Sequence, residues 1–266
     1  MTAVAEFLTG RPSVLFRKNS TFYFRYDLTY LVLCSVALLA MISTGMRPIF
    51  GEWTWWLPVL LPVACYAVMC GHVFAHNAAH GNFPKPVNRL MGEIAGLVVL
   101  SRFASWEIIH MRHHQYSDDL DRDPHPNMGG YWKTFFHTLV NVEKQLQQNF
   151  LDLHGDTAEN RKREKTRALI SYATNIVLIA CWFRLLGAPG FLLLFVPASI
   201  AATLHLIHFN WSTHNGMKGS DFKPVDIDQG IFWFGNRIFF GIYYHDTHHR
   251  NTKLFNPMLG ALGKIN

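Results

Sequence analysis

The sequence predicts an all-α integral membrane protein with four transmembrane helices in two hairpins, and three observations lead to this fold class. Only 16% of the 266 residues are charged, whereas a soluble domain carries about 25%. Half of the residues are hydrophobic, and several long stretches contain no charge at all. The four cysteines lie in apolar runs without metal-binding spacing, which favours buried free thiols over a disulfide framework.

The first predicted hairpin comes from two uncharged stretches in the N-terminal third of the chain. Residues 28–46 contain no charge and match the length of one bilayer crossing. Residues 53–84 are also uncharged, but only about 53–72 are apolar enough to span. We therefore expect the polar end of the second helix to continue beyond the hydrocarbon.

The second predicted hairpin follows a long polar segment. Apolar runs predict transmembrane helices over about 168–186 and 190–209, and the Gly/Pro-rich run at 185–190 is typical of a turn. A further apolar segment, Leu90 to Leu100, contains Glu93. We expect an interfacial or re-entrant helix there rather than a fifth span.

Basic residues predict the orientation of this single domain, 1–266. They concentrate in the N-terminal arm and between the second and third predicted spans, and the two short loops of the hairpins contain few. The positive-inside rule then places both termini in the cytoplasm. Residues 73–167 and 210–266 would form a helical cytoplasmic cap.

Histidines cluster at the ends of the predicted helices that face this cap. His76 and His80 are four residues apart, so they share a helix face, and His72 lies one turn earlier. Asn210 and His214 repeat this spacing at the end of the fourth predicted span. Two His-x-x-His-His motifs also have a spacing that puts their side chains on one side of a helix. They comprise His110, His113 and His114, and His245, His248 and His249.

Four separate histidine-bearing segments thus face one side of the membrane. Neutral imidazole is a common ligand of iron, copper, nickel and zinc, and eight or nine imidazoles exceed the needs of one ion. We therefore predict a site for two metal ions. A histidine-lined metal transporter or a haem-anchoring membrane subunit is the alternative from a different class, although a transporter places its ionisable ligands near the bilayer midplane.

The remaining histidines give weaker signals. His125, His137 and His154 fall in the polar middle segment, where surface positions are expected. His205 and His208 lie inside the fourth predicted span, where a polar group is costly and is usually hydrogen-bonded or close to a functional site.

The motifs His76-Asn-Ala-Ala-His80-Gly, His110-Met-Arg-His113-His114 and His245-Asp-Thr-His248-His249 resemble the three histidine boxes of the membrane fatty acid desaturase superfamily. Asp121-Arg122-Asp123-Pro124 resembles the acidic stretch that follows the second box. The first box departs from the family pattern, because Asn77 stands where an acid is often found.

The resemblance implies nine histidine ligands, with Asn210 acting through a metal-bound water and His72 as a possible extra ligand. It implies two iron ions, O2 as co-substrate, and no catalytic residue separate from the ligands. The implied reaction is desaturation of a fatty acyl chain or another membrane lipid. The alternative within the superfamily is a hydroxylase or ketolase that acts on a carotenoid, an alkane or a similar apolar molecule.

Two further expectations concern groups around the metals. Metal-bound histidines usually need a partner on the second ring nitrogen, and acids at short sequence distance are candidates: Glu107, Asp118, Asp119, Asp121 and Asp246. The sequence has no dinucleotide, flavin or Cys-x-x-Cys signature. Electrons are therefore expected from an external carrier of the ferredoxin or cytochrome b5 type, and no nucleic acid partner is expected.

Overall fold

The computed structural model describes residues 3–218 and 221–264 and is almost entirely helical. Helices make up 73% of it, and the described residues contain no β-strand. One isolated backbone bridge joins Asp226 to Tyr244. The prediction of an all-α protein is confirmed.

Seven helices form the first half of the chain. Their bounds are Ala3–Thr9 (α1), Pro12–Lys18 (α2), Phe22–Ser43 (α3), Leu61–His80 (α4), Lys85–Val98 (α5), Phe103–Tyr116 (α6) and Tyr131–His154 (α7). A 3-10 turn, Leu57–Leu60, leads into α4. Helix α4 ends because Gly81 takes a left-handed conformation, φ 73°, which an L side chain disfavours.

Five helices form the second half. Their bounds are Ala158–Gly190 (α8), Val196–Thr213 (α9), Ile231–Ile238 (α10), His245–Arg250 (α11) and Pro257–Ala261 (α12). A π-helical turn, Phe191–Phe195, joins α8 to α9. The Thr157 side chain caps α8 by accepting a hydrogen bond from the Asn160 backbone N–H.

Three helical stretches are long and apolar enough to cross a membrane: Phe22–Ser43, Leu57–His80 and Ala158–Thr213. A bent pair, Lys85–Val98 with Phe103–Tyr116, meets the same criteria only when its two helices are taken together, and they meet at 100°. The first two stretches overlap the predicted spans. The bent pair contains the Leu90 to Leu100 segment, so that segment does not belong to a long straight helix.

The third stretch folds back on itself at the predicted turn. Gly187 has φ 74° and ψ 166°, which breaks the helical path inside α8. The rings of Trp182 and Phe195 stack with centroids 4.8 Å apart. A straight helix would place residues 13 positions apart about 20 Å from each other, so the chain must reverse direction between them.

The two short loops meet at one end of the helices. Ile49 N–H donates to the Leu185 carbonyl over 2.9 Å, and Phe50 N–H donates to the Leu186 carbonyl over 3.1 Å. A β-carbon added at Gly187 would lie 2.5 Å from the Phe50 carbonyl oxygen, so this contact requires glycine. Helix α4 starts near these loops and extends for about 30 Å, which carries its C-terminal histidines to the opposite end.

Many apolar side chains on these three long helical stretches are exposed. They include Leu33, Leu39, Val59, Val63, Leu169, Ile176 and Ile200. Leu39 is 64% exposed and Ile176 is 69% exposed. Exposed apolar side chains on helices long enough to span a membrane are what a lipid bilayer covers. The chain is a membrane protein.

Candidate metal centre

Nine histidines from four parts of the chain form two adjacent groups. The first group brings together ring nitrogens from His76, His80, His110, His114 and His248, and the second brings together those of His113, His214, His245 and His249. Within each group the candidate ligand atoms lie within 4.8 Å of one another. These are the nine histidines that the sequence predicts as ligands.

Each His-x-x-His-His motif is divided between the two groups. On α6, His110 and His114 belong to the first group and His113 to the second. On α11 the assignment is reversed, because His245 and His249 belong to the second group and His248 to the first. In each motif the first and last histidines are four residues apart and share a helix face. The middle histidine, three residues after the first, is rotated toward the neighbouring group. The two short helices thereby tie both groups together.

Distances between ring nitrogens match those of neighbouring ligands on one ion. The Nε2 atoms of His76 and His248 are 3.1 Å apart, and those of His110 and His114 are also 3.1 Å apart. In the second group, the Nε2 atoms of His214 and His245 are 3.0 Å apart. Two nitrogens about 2.1 Å from a metal ion and at a right angle would be separated by about 3.0 Å.

Burial keeps the three imidazoles of the His245-Asp-Thr-His248-His249 motif in the form that binds metal. It lowers the pKa of His245 and His248 well below the usual value, and it lowers that of His249 to about 3. Protonation of one ring would also place a charge beside several neighbouring rings. At neutral pH these histidines are therefore uncharged and have a free lone pair.

Two aspartates orient histidines of the second group. The Nδ1 atom of His113 is 2.9 Å from Oδ2 of Asp123, which is fully buried. The Nδ1 atom of His214 is 2.7 Å from Oδ2 of Asp118. A carboxylate that accepts the Nδ1 proton leaves Nε2 unprotonated and directed toward the metal.

Asp118 is among the acids that the sequence suggests, but Asp123 was missed. It lies ten residues after His113, beyond the short sequence distances considered. The Asp123-Pro-His125 segment folds back on α6, where Asp123 also accepts hydrogen bonds from the backbone N–H groups of Asp118 and His125. The resemblance to the family's acidic stretch was the available signal.

In the part of the chain that the structure describes, none of the other four suggested acids is hydrogen-bonded to a histidine, so their prediction as partners is wrong. Glu107 accepts hydrogen bonds from Arg11 and Ser13, because it lies on the side of α6 that faces the N-terminal arm. Asp119 pairs with Arg122. Asp246 pairs with Arg250 on the outer side of α11, and Asp121 is exposed.

The predictions for the remaining histidines had mixed outcomes. His72 belongs to neither group, and its ring packs 5.4 Å from that of Trp106. His125 is not a surface residue, because its ring lies 4.2 Å from that of His113. His137 and His154 are half-buried rather than exposed. His205 is hydrogen-bonded to Tyr243, as expected for a polar group in an apolar helix.

A largely apolar cavity of about 230 Å³ opens beside both histidine groups. Met69, Val73 and Ile207 contribute to its walls, and His110 and His245 face it from the candidate metal centre. Asn210 lines the same cavity, and its side-chain amide donates to the His125 carbonyl over 3.0 Å. An apolar chain in this cavity would lie directly beside the two groups.

The fold and the site together define a class: a helical membrane protein in which scattered histidines build two adjoining groups that could hold metal ions beside an apolar cavity. The chain belongs to the fatty acid desaturase family, whose model matches residues 53–265. This match includes all nine histidines of the two groups. The resemblance noted from the histidine boxes is confirmed.

Two curated relatives share shorter similarities with the chain. An sn-1 oleoyl-lipid 12-desaturase from a Picosynechococcus species is 38% identical over 53 residues, which are 19% of this chain and 15% of that protein. A protein of the same name from Anabaena variabilis is 30% identical over 95 residues, 33% of this chain and 26% of its own length. The matches thus span about a quarter or less of these relatives. No solved structure matches the chain significantly.

Proposed function

We propose that this protein is an O2-dependent oxidoreductase that introduces a double bond into a fatty acyl chain of a lipid. The observation that carries the proposal is the position of the two histidine groups at the wall of an apolar cavity. Family membership supports an oxidoreductase over the transporter and haem-anchor alternatives. The names of the two curated relatives support a lipid acyl chain as substrate.

The proposed ligands are the nine histidines of the two groups, with Asn210 acting through a water molecule. Iron is the proposed metal, because imidazole suits iron and because the family is known for a diiron centre. Two irons held by these residues would activate O2 toward an unactivated C–H bond, with electrons from the external carrier. The chain's own part is positional: Asp123 and Asp118 hold protons on Nδ1 of His113 and His214, and the apolar cavity excludes water.

The cavity also directs which C–H bond meets the metal centre. Its apolar walls hold an alkyl chain, and its depth selects the carbons that lie beside the histidines. Removal of one hydrogen from each of two neighbouring carbons gives an alkene and reduces O2 to water, whereas insertion of one oxygen atom into a C–H bond gives an alcohol. The position of the chain in the cavity thus decides between a desaturase and the hydroxylase or ketolase alternative.

In the proposed topology, four transmembrane helices form two hairpins within one domain, 1–266, and both termini and the metal centre are cytoplasmic. The short loops at 44–56 and 185–190 meet at the end of the helices opposite the histidines. This separation fits a centre on one face of the membrane. An external carrier of the ferredoxin or cytochrome b5 type would supply electrons at that face.

The proposal is tested by metal analysis together with lipid profiling. Purified protein is expected to contain about two irons per chain, and cells that express it should accumulate a new unsaturated acyl chain. His113→Ala and His248→Ala should abolish the product, because each removes a ligand from one group. His137→Ala, outside both groups, should keep it. An iron content near one, or a hydroxylated product alone, would contradict the proposal.

A further inference from the structure

Several buried polar atoms in the cavity wall have no hydrogen-bond partner among the described residues, and two of these atoms belong to rings that contact each other. These two are Nδ1 of His72 and Nε1 of Trp106. Both residues line the cavity, and His72 is only 8% exposed. An unpartnered buried polar group destabilises the folded protein, so two such groups on adjoining rings call for a ligand that satisfies them.

The two residues occupy equivalent positions relative to the candidate metal centre. His72 lies four residues before His76 on α4, and Trp106 lies four residues before His110 on α6. Each therefore sits one helical turn, about 5.4 Å along the axis, from a proposed ligand on the same helix face. Their rings are in contact, with centroids 5.4 Å apart.

Neighbouring side chains in the cavity do not satisfy this pair. Met69, Val73 and Ile109 present apolar surface. Ser105 also lines the cavity, but its hydroxyl is hydrogen-bonded to the Tyr23 hydroxyl. The partner must therefore come from a molecule that enters the cavity.

We propose that His72 and Trp106 form a binding site for one oxygen atom of the substrate, a hydroxyl or carbonyl oxygen on an otherwise apolar chain. The indole N–H can only donate, so the partner must accept a hydrogen bond, and an imidazole nitrogen can either donate or accept. One oxygen atom that accepts from the indole N–H and pairs with the imidazole nitrogen, in hydrogen bonds of about 2.9 Å, would satisfy both. This inference rests on the proposed function, since it specifies the substrate of the same cavity.

Binding measurements in detergent micelles test the site with three kinds of probe on the as-purified protein. Octadecane has no oxygen, methyl octadecanoate has an ester carbonyl at one end, and a positional series of octadecanols has a hydroxyl at one chosen carbon. We expect one octadecanol, or the ester, to bind at least about tenfold more tightly than octadecane, because unpaired buried groups reject an analogue without the oxygen. Tighter binding of an octadecanol would identify a hydroxyl as the bound group, and tighter binding of the ester would identify a carbonyl.

Substitutions then assign the preference to these residues. His72→Phe and Trp106→Phe keep ring volume but remove the polar atoms, and each should reduce the preference to less than about threefold. His137→Phe and Trp132→Phe, both outside the cavity, are the matched controls and should leave it unchanged. Thr138→Val removes another unpartnered hydroxyl that lines the cavity.

Equal affinity of wild-type protein for all probes would overturn the inference, since it would mean that a water molecule satisfies the pair. A preference that survives both Phe variants, or that disappears only in Thr138→Val, would overturn it as well. The wild-type measurements alone test whether the cavity prefers a probe with an oxygen atom, so the inference can be overturned even where a variant fails to fold. Because the readout is binding, a protein that prefers one probe but forms no product would contradict only the proposed function.

Discussion

At the scale of single residues, the centre depends on carboxylates that set the tautomer of individual histidines. Asp123 and Asp118 accept hydrogen bonds from the Nδ1–H groups of His113 and His214, two histidines of the second group. Asp119 is adjacent in sequence to Asp118, but it pairs with Arg122 instead. Sequence distance alone did not separate these neighbours, because the turn after α6 points successive side chains in different directions.

This difference gives a matched pair of substitutions. Asp123→Ala should lower iron affinity about 10–100-fold, the usual effect of removing a partner of a metal-bound histidine. Asp119→Ala should leave iron affinity unchanged, because its carboxylate contacts only Arg122 and nearby backbone N–H groups. Iron content after dialysis against graded chelator measures both. Equal losses in the two variants would show that Asp123 does not orient His113.

At the scale of helices, the reversal at Gly187 sets where α8 and α9 can lie. The backbone there is left-handed, and the Phe50 carbonyl approaches too closely for a β-carbon. Pro189 and Gly190 follow directly, so the sequence concentrates helix-breaking residues at this position. The turn was predictable from composition, but its contact with the α3–α4 loop was not, because that contact joins segments far apart in the chain.

Gly187→Ala is therefore expected to destabilise the protein by about 2 kcal/mol or more, through backbone strain and the clash with Phe50. Gly45→Ala is the control for strain alone. Gly45 also has a positive φ, 63°, but no atom lies within 4 Å of its added β-carbon. Thermal unfolding in detergent should show a clearly larger loss for Gly187→Ala. Identical losses would exclude the Phe50 contact as a cause.

At the scale of the whole molecule, a buried ionic network joins the membrane helices to the segments that carry histidines. Arg102, just before α6, pairs with Asp27 of α3 over 2.7 Å, and Arg167 of α8 pairs with the same carboxylate over 3.2 Å. Arg167 also contacts Glu143 of α7 and Glu164. Removing one member would leave an uncompensated buried charge. The network therefore fixes α6 and its histidines against α3 and α8.

The burial of so many imidazoles makes the stability of the metal-free protein depend on pH. His249 has a folded-state pKa of about 3, whereas an unfolded histidine has a pKa of about 6.5. Between these values the unfolded state binds more protons, so the free energy of unfolding falls as the pH falls. The contribution is complete above pH 6.5 and is lost toward pH 3, at about 1.4 kcal/mol per pH unit for each such histidine.

Chelator-treated protein should therefore show a thermal midpoint that falls steadily from pH 7 to pH 5. Iron-loaded protein should unfold at a higher temperature at pH 7, because a ligand that binds only the folded state stabilises it. The difference in unfolding temperature between iron-loaded and chelator-treated protein should decrease as the pH falls, since protons compete for the same nitrogens. A midpoint that does not depend on pH, or that rises toward pH 5, would contradict the assignment of buried neutral histidines.

The sequence by itself determined the all-helical membrane class and the turn near Gly187, because charge distribution and helix-breaking residues are local properties. Its histidine motifs, together with the family resemblance that they carry, determined the nine histidines that converge. Tertiary structure alone decided how His113 and His248 separate from their neighbours into opposite groups, which aspartates contact the rings, and that His72 pairs with Trp106 rather than with the other histidines. These features depend on side-chain directions across distant helices. Spacing along the sequence does not specify those directions, because they are fixed only when the helices pack together.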